Sequence, residues 1–153
     1  MDFAFRNGFE SHYHWIDRKI IVEELLEDEK QKESLMDYKF WCFNGEPKFF
    51  TINDGHGHGN MNYYKMDKTL YPEIERTDMK FDYSKIFKIP NNFDLMVEYS
   101  KNLSEPFKFV RVDFYEVNNK VYLGELTFTP GVCAFKYKNP QSSIKIGNLL
   151  KLC

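Results

Sequence analysis

The stretch Arg111 to Gly131, RVDFYEVNNKVYLGELTFTPG, constrains this chain more than any other. Two alternating runs rich in Val, Phe, Tyr and Leu flank a polar Asn118-Asn119-Lys120 turn, which is the pattern of a β-hairpin. Alternation puts Arg111, Asp113 and Tyr115 on one face of the first strand and Val110, Val112 and Phe114 on the other. On the second strand Leu123, Glu125 and Thr127 share a face, against Tyr122, Leu126 and Phe128. A two-residue turn would pair Val117 with Lys120 and set Asp113 and Glu125 on opposite faces. A three-residue turn pairs Val117 with Val121, placing Asp113 opposite Glu125 and Arg111 opposite Thr127. The second register collects the polar groups on one face, and it is the expected one.

Two carboxylates facing each other across a ladder repel. A divalent cation is the simplest offset, and hard oxygen ligands beside a guanidinium suit Mg²⁺ and phosphate oxygens. An exposed sheet face carrying a plain Arg–Asp–Glu charge cluster accounts for the same residues. The hairpin alone leaves both readings open.

With 153 residues the chain fits one domain and has length enough for a core. Its 42% hydrophobic content argues against disorder, and a net charge of −2 gives no electrostatic case for nucleic acid as a partner. Cys42, Cys133 and Cys153 are odd in number and widely spaced, with no CxxC, which fits a reducing compartment. No run approaches the ~20 apolar residues of a membrane span, and the first residues lack an apolar signal core. A cytoplasmic protein without a membrane span is the expectation.

Lys19 to Val22, in KIIVEELL, reads as a buried strand, with Glu23 to Leu26 turning out of it. Glu27 to Met36 reads as a solvated loop or short helix. Asp37 to Asp54 is a second hairpin around Asn44-Gly45-Glu46-Pro47, since both residues of an Asn-Gly pair tolerate positive φ. Residues 55–90 carry turn residues without a sustained period and read as an irregular excursion or insertion. Asn91 to Leu103 is a helix, capped by Asn91 or Asn92, with Asp94 in its first turn and a stripe of Phe93, Met96, Val97, Ser100 and Leu103. A Tyr/Lys-rich loop follows Gly131, and Ser143 to Leu152 is a short terminal helix. A helix running directly into a strand predicts an α+β fold, an antiparallel sheet with helices packed on one face.

Other chemistry finds little support. His12-x-His14 and His56-x-His58 lack a third spaced zinc ligand and read as incidental loop histidines. No general base can be placed beside Cys42 or Cys133, so buried cysteine is the better reading. There is no GxxxxGK[ST] or GxGxxG phosphate loop.

Taken together, the hairpin, IIVEELL, DYKFWCFNGEPKFF, the block PNNFDLMVEYSKNLSEPFKFVRVDFYEV and the closing IGNLLKL resemble the TupA-like ATP-grasp proteins, in that family's order. FESHYHWIDRKIIVEELL is similar to the family's lead-in as well. The resemblance spans nearly the whole chain and is weakest from His56 to Lys88. It implies the C-terminal subdomain of an ATP-grasp fold, using ATP and Mg²⁺. Glu24 would accept from the adenine amino group through its carbonyl, Leu26 would donate its N–H to the ring, and Asp37 would hold the ribose hydroxyls. Arg111 would contact the transferring phosphate, with Asp113, Glu125 and Thr127 at the metal. The implied chemistry is an acyl phosphate formed from a small carboxylate and ATP, then attacked by an amine, in bacterial cell-surface polysaccharide biosynthesis.

Two departures stand out. Thr127 occupies the position where ATP-grasp proteins usually carry an Asn metal ligand, and Val132-Cys133 replaces a glycine-rich stretch after Gly131. The lysine- and glycine-bearing half that precedes this subdomain in the family is not expected within these residues, so a separate N-terminal half is an implied partner. A glycosyltransferase of polysaccharide assembly and a non-catalytic ATP-grasp remnant are the rival functions.

Overall fold

The computed structural model describes residues 15–17, 19–28, 34–55 and 60–152. Both expected hairpins form, and they pair with each other. The strands β1 (Asp37–Phe43) and β2 (Glu46–Asn53) turn through Asn44 and Gly45, at φ 51° and 78°. An edge strand β3 (Met61–Lys65) adds to β2. The helix α1 (Phe93–Ser104) leads into β4 (Phe109–Val117) and β5 (Lys120–Thr127). Antiparallel pairing of β1 with β4 closes a five-stranded sheet in the order β3-β2-β1-β4-β5. A short helix, α2 (Pro140–Gly147), follows near the end of the chain. The fold is α+β, as expected.

One face of the sheet packs on α1. Tyr38, Phe40, Cys42, Phe50, Ile52, Val110, Val112 and Phe114 alternate onto that face and meet Phe93 and Met96 of the helix. Phe93 wedges between strands, its ring centroid 5.0 Å from Phe50 and 5.7 Å from Phe40. The apolar stripe therefore lies where its period put it, with Val97 and Leu103 packed at its margins. The cap differs from expectation. Asn92 stands at the N-cap but makes no capping bond with its side chain. Instead Glu116 of β4 accepts from the backbone N–H groups of Asn91 and Asn92, at 3.0 and 2.8 Å, setting a carboxylate at the positive end of the helix.

The opposite face is divided. At one end Trp41, Phe43, Phe49, Met61 and Tyr63 form a second apolar cluster with Ile74, covered by Phe109, Phe135, Tyr137, Ile146, Leu149 and Leu150. The remainder of that face carries polar and charged residues.

Several expectations are corrected. Lys19 to Val22 is neither strand nor buried: Ile20, Ile21 and Val22 are 94%, 79% and 89% exposed. An apolar burst becomes a strand only where a ladder receives it, and β1, the strand nearest in sequence, already has β2 and β4 on its two sides. Residues 55–90 are not a mere excursion, since they supply β3 and the buried Ile74 and Phe87. Met61, Asn62, Tyr63 and Tyr64 are all buried, so this strand shows no alternation to read. The amide of Asn62 donates to the carbonyls of Asp82 and Lys85 at 2.8 and 2.9 Å, which ties down the following loop. The terminal helix starts earlier, at Pro140 behind an Asn139 cap that accepts from the Gln141 N–H at 3.0 Å, and ends at Gly147. The loop after β5 begins with a tight turn, Pro130–Cys133, of left-handed backbone at Gly131, Val132 and Cys133. Of the segment Glu27 to Met36, residues 27, 28 and 34–36 have no helical structure, and the rest lie outside the described residues. His12, His14, His56, His58 and Cys153 also lie outside them.

Cys42 is fully buried between the sheet and α1, and burial pushes its thiol pKa up to about 12. Its thiolate is therefore scarce at pH 8. Iodoacetamide at that pH should leave Cys42 unmodified in the native protein and alkylate it once urea unfolds the chain, read by peptide mass spectrometry. Rapid native labelling of Cys42 would contradict this packing.

Candidate functional site

The hairpin of β4 and β5 reaches the expected facing pairs by an unexpected route. Val117 pairs with Lys120, so the turn has two residues, Asn118 and Asn119, at φ 50° and 62°. The three-residue turn is thus not formed. A β-bulge between Asp113 and Phe114 then shifts the ladder, with Gly124 as the extra residue, and beyond it Asp113 faces Glu125 and Arg111 faces Thr127. Gly124 is required by close approach, because a Cβ there would lie 2.8 Å from Cε2 of Tyr115. The bulge also exchanges two faces. Tyr122, paired with Tyr115, joins the charged face, while Leu123, paired with Phe114, turns toward the helix side.

Ladder register carries the polar row across the sheet. Glu125 of β5, Asp113 of β4, Lys39 of β1, Thr51 of β2 and Tyr63 of β3 are successive cross-strand neighbours. Arg111 forks onto Asp113, donating from Nε to Oδ1 and from Nη2 to Oδ2, both at 2.7 Å. Nη2 also donates to the Thr127 hydroxyl at 2.9 Å and lies 3.4 Å from Glu125. Lys39 donates to Asp113 Oδ2 at 2.7 Å and forms an ion pair with Asp37. The Arg111 guanidinium carbon lies 5.8 Å from the centre of the Trp41 ring, where the charged half of the face meets the aromatic half.

The repulsion between Asp113 and Glu125 is therefore met by cationic side chains of the chain itself. Burial opposes the charges of Lys39 and Arg111, yet Asp113 and its acidic neighbours win and hold both above their ordinary pKa values. Burial raises the Asp37 carboxyl above its usual range, with Lys39 pulling the other way. Asp37 Oδ1 is buried without a hydrogen-bond partner. Asp37, Asp113 and Glu125 against Lys39 and Arg111 leave one excess negative charge.

The structure thus brings together Asp37, Arg111, Asp113, Glu125 and Thr127. Glu24 is exposed and Leu26 half-buried on the irregular segment 19–28, outside the sheet. Lys39 is the site residue that sequence reasoning missed. Its signal was available: Asp37, Lys39 and Trp41 alternate onto one face of the strand. No group of three or more His, Cys, Asp or Glu side chains that could hold a metal forms among the described residues. After the β5 strand, Gly131, Val132 and Cys133 all adopt positive φ, at 54°, 50° and 56°, a backbone more usual for glycine than for Val or Cys.

A five-stranded antiparallel sheet with a helix on one face and an acid–base row on the other is an α+β architecture consistent with an ATP-grasp-like subdomain. The family described as TupA-like ATPgrasp matches residues 4–151, and the chain belongs to it. Comparison with curated proteins and with solved structures gave no match. No helix among the described residues is long and apolar enough to cross a membrane.

Asp113, with its side chain only 3% exposed, depends on Arg111 and Lys39 for its charge balance. Arg111→Met should destabilise the protein by about 2 kcal/mol, because it removes two charge-assisted hydrogen bonds from the buried Asp113 carboxylate and leaves it Lys39 alone. Adding Asp113→Asn should recover part of that loss, as measured by urea unfolding of the single and double variants. Strictly additive losses would show that the two residues are not coupled.

Proposed function

We propose that this chain acts as the C-terminal subdomain of an ATP- and Mg²⁺-dependent carboxylate–amine ligase. The observation that carries the reading is the facing of Asp113 with Glu125 and of Arg111 with Thr127, on the sheet face away from α1, in a TupA-like ATP-grasp chain. The donor set fits Mg²⁺ in kind: carboxylate and hydroxyl oxygens on adjacent register positions, with one unbalanced negative charge. Asp113, Glu125 and Thr127 would hold the ion. When bound, Mg²⁺ would neutralise charge on the transferring phosphate.

Arg111 is the phosphate-binding group. Its Nη2 already spans Asp113, Glu125 and Thr127, and a terminal phosphate group offers the same fork two oxygens and a higher charge than a carboxylate. Asp37 would take the ribose hydroxyls, the Glu24 carbonyl the adenine amino group and the Leu26 N–H the adenine ring. Glu24 and Leu26 lie on the exposed segment, where a preceding lysine- and glycine-bearing half would meet them. The exposed Ile20, Ile21, Val22 and Leu25 beside them offer that half an apolar surface. Catalysis of phosphoryl transfer is positioning and charge neutralisation, which this face is equipped to provide. The product would be an acyl phosphate on a small carboxylate, consumed by an amine. Cell-surface polysaccharide assembly is the proposed setting.

The test is Mg²⁺-dependent protection by ATP against thermal unfolding, with the preceding half supplied. At a hundredfold excess over the dissociation constant, ATP·Mg²⁺ should stabilise the wild type by about 2.7 kcal/mol. Glu125→Gln, whose side chain is 60% exposed, should fold normally and lose most of that protection. If neither ATP nor Mg²⁺ shifts the wild-type melting curve under these conditions, the ligase reading fails. A shift produced by a nucleotide-sugar instead would favour a glycosyltransferase, and no shift with any ligand would leave a non-catalytic remnant.

A further inference from the structure

Lys39 occupies a position that the phosphate and metal roles above do not use. Its ammonium lies between two carboxylates, 2.7 Å from Asp113 Oδ2 and in an ion pair with Asp37, and its side chain is only 17% exposed. Asp113 Oδ2 therefore accepts from both Lys39 Nζ and Arg111 Nη2, which engages both lone pairs of that oxygen. Its other oxygen, Oδ1, accepts from Arg111 Nε at 2.7 Å. Any cation approaching Asp113 meets two fixed positive charges and a carboxylate whose side chain is 3% exposed. Arg111 has other partners in Thr127 and Glu125 and can turn toward a phosphate while keeping them. That movement frees Oδ1 but leaves the Lys39 ammonium 2.7 Å from Oδ2, so the carboxylate stays neutralised against a second cation.

We propose that Lys39 is a positioning residue that keeps Asp113 closed to a divalent cation until a polyphosphate anion draws the cationic side chains away, so that metal enters together with its nucleotide. The inference rests on the reading of Asp113 as a cation ligand. Asp37 makes the release feasible. It is already paired with Lys39, and its second oxygen, Oδ1, is buried without a partner, so Lys39 has a carboxylate to stay with when it leaves Asp113. The order matters chemically. A cation seated beforehand would lie against the unshielded guanidinium of Arg111, whereas one arriving with a polyphosphate brings its own counter-charge.

Equilibrium dialysis of the full chain against Mn²⁺, used as a probe for Mg²⁺, tests this directly. The wild type should take up Mn²⁺ alone weakly. Lys39→Met and Lys39→Gln, which remove the charge by two different side chains, should bind Mn²⁺ alone about tenfold more tightly or better. Lys39→Arg, which keeps the charge, should stay closed like the wild type. Adding Glu125→Gln to Lys39→Gln should abolish the gain, locating it at this face. Circular dichroism melts establish which variants fold, and a folded Lys39→Gln suffices if Lys39→Met does not fold. Wild-type binding of Mn²⁺ alone as tight as that of the uncharged variants would overturn the lock and leave the ligase reading intact. Absence of Mn²⁺ uptake in every variant, with and without ATP and with the preceding half supplied, would overturn both.

Discussion

The antiparallel pairing of β1 with β4 sets Lys39 beside Asp113, Trp41 beside Arg111 and Phe40 beside Val112. These are the central strands of the sheet, so their register decides what both faces contain. Side chains alternate with period 2, and a one-residue slip would carry Phe40 and Val112 toward the polar face and Lys39 toward the helix. Two strong preferences hold the register against that slip. On one face Phe40, Cys42, Val110 and Val112 are fully buried under Phe93 and Met96. On the other, Lys39 and Arg111 converge on the nearly buried Asp113. Breaking either would cost several kcal/mol, through lost apolar burial or through an unpaired buried charge.

The hairpin that completes the site reconciles two conflicting demands. A tight turn favours two residues with positive φ, which Asn118 and Asn119 provide. The site needs Asp113 and Glu125 on the same face, and such a turn with an unbroken ladder denies this. The bulge at Gly124 adds one residue and resolves the conflict, with the Tyr115 ring too close to admit a Cβ there. The same device lies in the first hairpin. There the ladder shifts between Trp41 and Cys42, just above the Asn44-Gly45 turn. Each hairpin thus joins a two-residue turn to a bulge, and the polar row lies beyond both bulges.

Much of this was legible in the sequence. Asn44-Gly45 marked its turn, the stripe through Phe93, Met96 and Val97 marked α1, and alternation put Arg111 with Asp113. Other parts were hidden for definite reasons. β3 carries buried residues on both faces, so it has no amphipathic signature. Lys39 stands among aromatic residues in a run whose most visible property is its hydrophobicity, although its alternation with Asp37 and Trp41 was there to be read. Glu116 caps α1 from a strand that follows it in the chain, a contact with no local signal at the helix. The exposed Ile20 to Val22 misled in the other direction, since hydrophobicity says that a segment should be covered but not what covers it.

The local elements and the chemical content of the site follow from residue order. That order supplied two hairpins, one amphipathic helix, and an arginine with carboxylates on alternating strand positions, together with a family pattern that spans almost the entire chain. How that charge is balanced depends on which strands become neighbours. Lys39 and Asp113 are 74 residues apart and meet because β1 and β4 are neighbours. Glu125 faces Asp113 because a bulge, not a longer turn, sets the register. Periodicity fixes which residues share a face of one strand, but which strands lie side by side is set by the burial of both faces of the whole sheet at once.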